Sequence, residues 1–366
     1  MKLSINQTIL QEALSVVSKA SSSRATLPIL AGILLRAENE TLTLEATDLT
    51  LSIRSKLPAL VEQEGTGVLP ASLFFNIVKK LPDAAVHISI DDENATILCD
   101  TTSLSLRTLV AQDFPAFPEI APDQHVLLPF EQFSHMAKKV ERVVSSDESR
   151  PVFSGVLVDV SNKHLRLVAT DSYRLSLVEA PFEGASEDFQ AIVPGAFMRD
   201  ISSLARDGET IDVGFNENQI VVSYGQSTFI TRKIEGSFPD YNQLIPSSCK
   251  TSVVLETRPL IDAVDRTSLL SNKTMPVKFD INNASQTLQV STSAQDIGAA
   301  SETIGAQIEG DDCEIGFNYS FVLEGLRAAE TNTVRFEVDG SQRPGIFKSE
   351  AEDGVTYTYM IMPVRV

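Results

Sequence analysis

Cysteine is scarce in this sequence. Cys99, Cys249 and Cys313 are the three among 366 residues, odd in number and far apart, which argues against a disulfide framework and against a zinc site. Reduced thiols in a cytoplasmic chain are the expectation. Long apolar runs are missing too: none approaches the roughly 20 residues a membrane helix needs. The start, Met1-Lys2-Leu3-Ser4-Ile5, lacks the apolar stretch and cleavage site of a signal peptide. Catalytic patterns are absent as well. There is no Walker-type phosphate loop, no dinucleotide glycine fingerprint and no Gly-x-Ser-x-Gly elbow. His87, His125, His135 and His164 are scattered, without a pair at metal-ligand spacing. Neither a metal nor a cofactor is expected. Finally, positive charge is in deficit. A net charge of −19 argues against gripping nucleic acid by bulk attraction.

What the sequence does have is a repeat. Pro115, Pro239 and Pro363 recur at a spacing of 124 residues, as do Pro70, Pro194 and Asn318, each opening a similar apolar segment. Leu42, Leu165 and Leu288 recur at 123 on alternating runs. Three anchors at one period predict three tandem copies of one fold, about 120 residues each. The boundaries fall at 1–121, 122–246 and 247–366, each copy closing on a strand that ends near its proline. Apolar content of 43% with 22% charged residues is ordinary for a globular chain.

Each copy reads as helix, strands, helix, strands, with mainly antiparallel strands: an α+β layer fold. Helices are expected at 6–19, 72–81, 129–142, 196–206, 258–267 and 319–327 from apolar positions at helical spacing, with Asn6 as an N-cap. Alternation predicts strands at 41–48, 86–90, 95–99, 103–109, 165–171, 210–215, 219–224, 228–234 and 357–362. The linkers at 119–124 and 245–250 are short and contain proline, so the copies are expected to be held in a fixed relation.

Two candidate chemistries emerge. Asp48 and Asp171 sit in matching Ala-Thr-Asp segments, and paired carboxylates can do acid–base work when close. Repeat-equivalent residues occupy separate copies, however, so a strand-end turn in each is the favoured reading. The six helical segments carry eleven basic residues, Lys19, Lys79, Lys80, Lys138, Lys139, Arg142, Arg199, Arg206, Arg258, Arg266 and Arg327, against seven acids. They sum to +4 and leave −23 elsewhere. In the third of them, Phe133, Met136, Ala137 and Val140 form the apolar face, and Lys138, Lys139 and Arg142 are expected to project from the opposite one. Charge alone favours ordinary solvated faces over a shared positive surface.

With these features together, the chain resembles the β subunit of bacterial DNA polymerase III, the sliding-clamp family, over its whole length. The resemblance rests on Arg24 with Thr26-Leu27-Pro28-Ile29-Leu30, Val168-Ala169-Thr170-Asp171 with Arg174-Leu175, Phe238-Pro239-Asp240-Tyr241, Ile315-Gly316-Phe317-Asn318 and Met362-Pro363-Val364-Arg365. It implies a head-to-tail homodimer, a ring of six similar domains with helices lining the hole and sheets outside. Such a ring would encircle double-stranded DNA without reading sequence and tether a polymerase by topology, with no catalysis of its own. Weak positive lining and an acidic exterior suit sliding, because tight phosphate contacts would impede it. The implied partners are the DNA polymerase III alpha subunit, a clamp loader, and other polymerases and repair factors that dock through short linear motifs.

Carried over by the resemblance, the DNA-facing residues are Arg24, Lys79, Lys80, Lys138, Lys139, Arg142, Arg150, Arg199, Arg206, Arg266 and Lys273. The implied peptide pocket is Phe153, Thr170, Ser172, Tyr173, Arg174, Leu175, Pro239, Gln243, Leu244, Met360, Met362, Pro363, Val364 and Arg365. An apolar cavity would take Leu and Phe anchors, adaptable methionines would fit several partners, and Arg174 and Arg365 would fix peptide carbonyls or acids. Tyr173 and Gln243 stand where well-known members more often carry His and Arg, so peptide preference is expected to differ. The dimer contact would join Leu104, Leu106 and Arg107 on an edge strand to Leu269 and Leu270. The segment 296–302 has only two acids, so this contact is expected to rely more on apolar packing than on ion pairs. A peptide-binding scaffold that never encircles DNA is the alternative, and a hydrolase using Asp48 and Asp171 is a third reading.

Overall fold

The computed structural model describes residues 1–22, 27–91, 93–147, 149–182, 188–204, 210–246, 248–271, 276–294, 298–350 and 354–365. They form an antiparallel α+β fold with seven α-helices among them: α1 Gln7–Val17, α2 Ala71–Lys80, α3 Phe130–Val140, α4 Gly195–Ser202, α5 Tyr241–Leu244, α6 Thr257–Ser268 and α7 Tyr319–Ala329. Six match the expected helices. The short α5 was not foreseen, since four residues give no periodicity to read.

Local chemistry explains the helix starts. The side chain of Asn6 accepts from the Thr8 and Ile9 N–H groups at 2.9 and 3.2 Å, satisfying two of the donors a helix start leaves open. Asn318 does the same for Ser320 at 2.9 Å. Leu10, Ala13, Leu14 and Val17 bury one face of α1. Of the expected stripe, Ile9 lies off that face, 40% exposed.

The chain divides into two compact units, Met1–Phe133 with Ser203–Lys233, and Ser134–Ser202 with Ile234–Val366. The division passes through the middle copy because its halves join different sheets. In the first unit, an eight-stranded sheet runs in the order Gln124–Pro129, Thr210–Phe215, Gln219–Tyr224, Ser227–Arg232, Leu51–Pro58, Thr41–Thr47, Gly32–Glu38, Gly65–Pro70. The seam between copies is the pair Ser227–Arg232 with Leu51–Pro58, in register Phe229↔Ile53. A five-stranded sheet, Leu60–Gln63, Lys2–Asn6, Ala85–Ile90, Asn94–Cys99, Thr102–Arg107, ends on Thr102–Arg107.

The second unit repeats this plan. Its nine-stranded sheet runs Phe189–Pro194, Gly155–Ser161, His164–Thr170, Arg174–Pro181, Thr356–Ile361, Gly345–Glu350, Thr333–Val338, Thr251–Glu256, Gln307–Glu309. The seam is Arg174–Pro181 with Thr356–Ile361, in register Leu175↔Met360. A four-stranded sheet, Gly298–Gly305, Thr287–Ala294, Val277–Asn282, Cys313–Phe317, ends on Gly298–Gly305.

Repeat-equivalent details support the period. Gly32 and Gly155 open matching strands, and a Cβ on either would lie 2.5 Å from a neighbouring branched side chain, Val68 or Ile192. The expected strand ends need correction in two copies. The strands stop at Arg107 and Arg232, well before Pro115 and Pro239. The intervening segments pack on the core instead: Leu109, Ala111 and Phe114 lie against Leu34 and Val68, and Ile234 and Phe238 against the cluster of Leu157 and Val168.

Candidate peptide site and helix-face cations

The turn Thr170–Arg174 is built by its own side chains. Asp171 Oδ1 accepts from the Tyr173 and Arg174 N–H groups at 2.9 and 3.0 Å, and Thr170 Oγ1 donates to the Arg174 carbonyl at 2.7 Å. Ser172 takes a left-handed φ of 77°. The first copy repeats this geometry: Asp48 Oδ1 accepts from Thr50 and Leu51 at 2.9 and 2.8 Å, and Leu49 has φ 76°. Both aspartates are thus occupied as turn formers, which is the reading favoured over paired acid–base chemistry.

Beside this turn, the structure brings several expected pocket residues together. Leu175 and Met360, paired across the seam, belong to one buried cluster with Leu157, Val168, Ile192, Tyr241 and Ile346, against which Val152, Phe238 and Ile245 pack. The Tyr173 carbonyl accepts from the Met362 N–H at 2.8 Å. Around this apolar floor Tyr173, Leu244, Met362 and Val364 are exposed. Ser172 and Gln243 are also exposed, whereas Phe153, Pro239 and Pro363 are half-buried and Thr170 is buried. Met362, Pro363, Val364 and Arg365 line a groove of about 580 Å³ with Glu314, Ile315, Gly316, Ser341 and Gln342. The tail is tied there by the Val364 N–H donating to the Gly316 carbonyl at 2.8 Å.

Sequence reasoning missed the residues that hold this floor in place. Tyr241 closes the Phe238-Pro239-Asp240-Tyr241 segment, where nothing local in the sequence gives it a role. Its hydroxyl donates to Asp159 Oδ2 at 2.6 Å. Burial first, and then the Asp159 carboxylate, push its phenol above the ordinary range. Asp240 caps α5 by accepting from Asn242. No local signal marks Asp159, which is 82 residues away in sequence.

Arg174 is not available to a peptide as expected. It is 7% exposed, and its guanidinium donates to Asp171 Oδ2 (3.0 Å), Glu324 Oε2 (2.6 Å), the Tyr359 hydroxyl (3.2 Å) and the Arg142 carbonyl (3.1 Å). Its flat face covers Phe321 at 4.3 Å. Burial lowers its proton affinity, but Tyr359 and Glu324 outweigh this and raise it. Arg174 is the buried tie of the turn. Arg365, by contrast, is exposed.

The expected DNA-facing cations divide. Lys79, Lys80, Lys138, Arg142, Arg150 and Arg199 are exposed. Arg150 also meets Asp147 at 3.0 Å and Ser172 at 3.0 Å. Arg266 is exposed but held by both carboxylate oxygens of Glu302. Lys139 contradicts its expected place. It is 4% exposed and donates to the carbonyls of Ala328 and Ala329, at 3.0 Å for the latter. There it caps the C-terminal end of α7, where a cation opposes the helix dipole. Arg24, Arg206 and Lys273 lie outside the described residues. At the expected dimer contact, Leu104 is half-buried, Leu106 buried and Arg107 exposed on the terminal strand Thr102–Arg107, and Leu269 is 81% exposed beside half-buried Leu270. Among the described residues no group of acidic, His or Cys side chains could hold a metal, and no helix is long and apolar enough to cross a membrane.

This arrangement can bind apolar peptide anchors and present cations, and comparison with known proteins decides its family. Models of the N-terminal, central and C-terminal domains of the DNA polymerase III beta subunit match residues 1–118, 127–240 and 242–365. The chain belongs to the DNA polymerase III beta subunit family. The beta sliding clamp of Synechocystis sp. is 33% identical over 391 residues, with all of both chains covered. That of Bacillus subtilis is 31% identical over 379, again end to end. The crystal structure of the Bacillus subtilis DNA polymerase sliding clamp aligns with a TM-score of 0.93 at 30% identity, covering 100% of this chain and 99% of that one. As a beta sliding clamp, the chain is a DNA polymerase III processivity subunit that works on DNA without catalysis of its own.

Proposed function

We propose that this sliding clamp closes as a head-to-tail dimer around duplex DNA, with clamp domains at 1–121, 122–246 and 247–366, and works in the cytoplasm. One observation carries the reading. At both seams the last strand of one copy, Ser227–Arg232 or Thr356–Ile361, pairs with the fourth strand of the preceding copy, Leu51–Pro58 or Arg174–Pro181. The same rule leaves one last strand, Thr102–Arg107, and one fourth strand, Gly298–Gly305, each at a sheet edge. Neither edge carries the lysine or proline that usually blocks pairing. Two copies placed head to tail pair both edges and leave none of this kind open.

Leu104 and Leu106 then meet Leu269 and Leu270 of the second copy. Glu302, the described acid on the Gly298–Gly305 edge, is already held by Arg266 within its own chain, which favours apolar packing over ion pairs across the joint. Lys79, Lys80, Lys138, Arg142 and Arg199 face the DNA as weak, exposed phosphate contacts. Polymerase, clamp loader and repair partners dock Leu and Phe anchors over Leu175 and Met360, between Tyr173, Leu244 and Met362.

The test is retention on nicked circular DNA, loaded by the cognate loader with ATP, before and after one cut. Protein that stays on the circle in moderate salt but runs off the cut molecule supports encirclement. Equal retention on both indicates charge-driven binding. No retention on either, with an active loader, points to a scaffold that does not encircle DNA.

A further inference from the structure

The joint between the second and third copies adds a helix contact to its strand pair. Between the second and third copies, Lys139, the tenth residue of α3, reaches the carbonyls of Ala328 and Ala329, the tenth and eleventh residues of α7. In the first unit Lys19 reaches the Ser203 hydroxyl at 3.1 Å, but Lys19 stands thirteenth from the start of α1, whose tenth residue is Val16; the Lys139 contact alone sets the pattern.

The tenth residue of α6 is Arg266, and the tenth residue of α2 is Lys80, followed by the C-cap Leu81. We infer that Arg266 caps the C-terminal end of α2 in a second copy of this chain, donating to the last-turn carbonyls around Lys80 and Leu81. This rests on the head-to-tail reading above and adds a residue-level contact to it. The chemistry is suitable: a helix end offers carbonyls without intrahelical partners and a negative dipole. Glu302 engages Nε and Nη2 of Arg266, and a guanidinium carries five N–H donors in all. Glu302 thus orients the fork without consuming it.

A second observation agrees. Arg142, thirteenth counting from the start of α3, and Phe321, third in α7, meet through Arg174 at the within-chain joint. Their counterparts are Leu269 and Leu73, 81% and 49% exposed. Arg174 itself corresponds to Gly298, the first residue of its strand. The polar tie inside the chain is replaced by two exposed leucines at the proposed contact, as a joint made between separate copies would use.

The test measures dimer dissociation of the full chain by sedimentation across a dilution series. Arg266→Met is expected to raise the dissociation constant about ten-fold or more, as loss of a charge-assisted bond does. Glu302→Gln should leave it within about two-fold, and Arg266→Lys should recover most of the loss, because Lys139 performs the same task with an ammonium. An unchanged dimer in Arg266→Met overturns the inference. So does a Glu302→Gln loss equal to that of Arg266→Met, which would mean Arg266 acts only by holding its own strand. A wild-type chain that stays monomeric throughout would instead overturn the head-to-tail reading beneath it.

Discussion

Arg174 and Glu324 meet at 2.6 Å, joining the strand Arg174–Pro181 to α7 across a seam between copies. The guanidinium side is 8% exposed and the carboxylate side 39%. The two partners therefore differ in what their loss leaves behind. Arg174→Met leaves Asp171, also shielded, without its cation, and should cost about 3 kcal/mol, in the range for breaking a buried pair. Glu324→Gln should cost about 1 kcal/mol or less, since water can reach its place. Urea denaturation of both variants checks the ordering, and equal losses would refute it.

Lys138 and Lys139 are adjacent in sequence but opposite in role. Lys139→Met removes the cap on α7 and exposes no compensating donor, so stability should fall by about 2 kcal/mol. Lys138→Met should stay within about 0.5 kcal/mol of wild type, as an exposed surface change does. On loaded circular DNA the order reverses. Lys138→Glu should speed sliding along the duplex and lower its salt dependence, while Lys139→Met, where folded, should slide as wild type does.

Tyr241 holds a buried carboxylate. Asp159 is 4% exposed, its Oδ2 accepts from the Tyr241 hydroxyl, and its Oδ1 has no hydrogen-bond partner among the described residues. Tyr241→Phe strands this group and should cost about 2–3 kcal/mol. Because Tyr241 opens α5, which carries Leu244 to the pocket rim, peptide affinity should fall as well. A double substitution, Tyr241→Phe with Asp159→Leu, should recover much of the stability. Recovery in calorimetry would separate the stranded charge from lost packing.

The pattern of these residues explains what was legible in sequence. Helix faces and strand alternation are local, so Phe133, Met136, Ala137 and Val140 were placed correctly, as were the strands Thr210–Phe215 and Gln219–Tyr224. Lys139 was misplaced because its partners, Ala328 and Ala329, lie in another copy, and one helix's periodicity carries no information about its neighbour. Arg174 fails for the same reason: beyond Asp171, three residues back, its guanidinium partners lie 32 to 185 residues away. The prolines at 115 and 239 marked the repeat correctly but not the strand ends, since proline signals interrupted pairing and not where the preceding ladder stops.

Met362 and Met360 should separate binding from folding. Met360 is 5% exposed within the packed floor, and Met362 is 42% exposed at the rim. Met362→Ala should weaken a fluorescent peptide carrying Leu and Phe anchors about ten-fold, with the melting midpoint unchanged. Met360→Ala should weaken the same peptide but also lose about 2–3 kcal/mol of stability through its cavity. Unchanged binding in Met362→Ala would place the anchors elsewhere.

Alkaline pH offers a test of the aromatic core under α7. Burial holds the phenols of Tyr357 and Tyr359 protonated well past their ordinary range; for Tyr359 the Arg174 guanidinium partly opposes this. An unfolded tyrosine ionises near pH 10. Above that value the unfolded chain releases protons that the folded chain keeps, so the folded state loses ground. Stability should therefore be level up to about pH 10 with respect to these groups and fall as pH rises further. Tyr357 donates to the Gly325 carbonyl at 3.1 Å, so Tyr357→Phe should cost about 1–2 kcal/mol at neutral pH yet flatten the decline above pH 10. Denaturation midpoints taken at neutral and alkaline pH decide the matter: an undiminished alkaline slope in Tyr357→Phe would assign the loss to other groups.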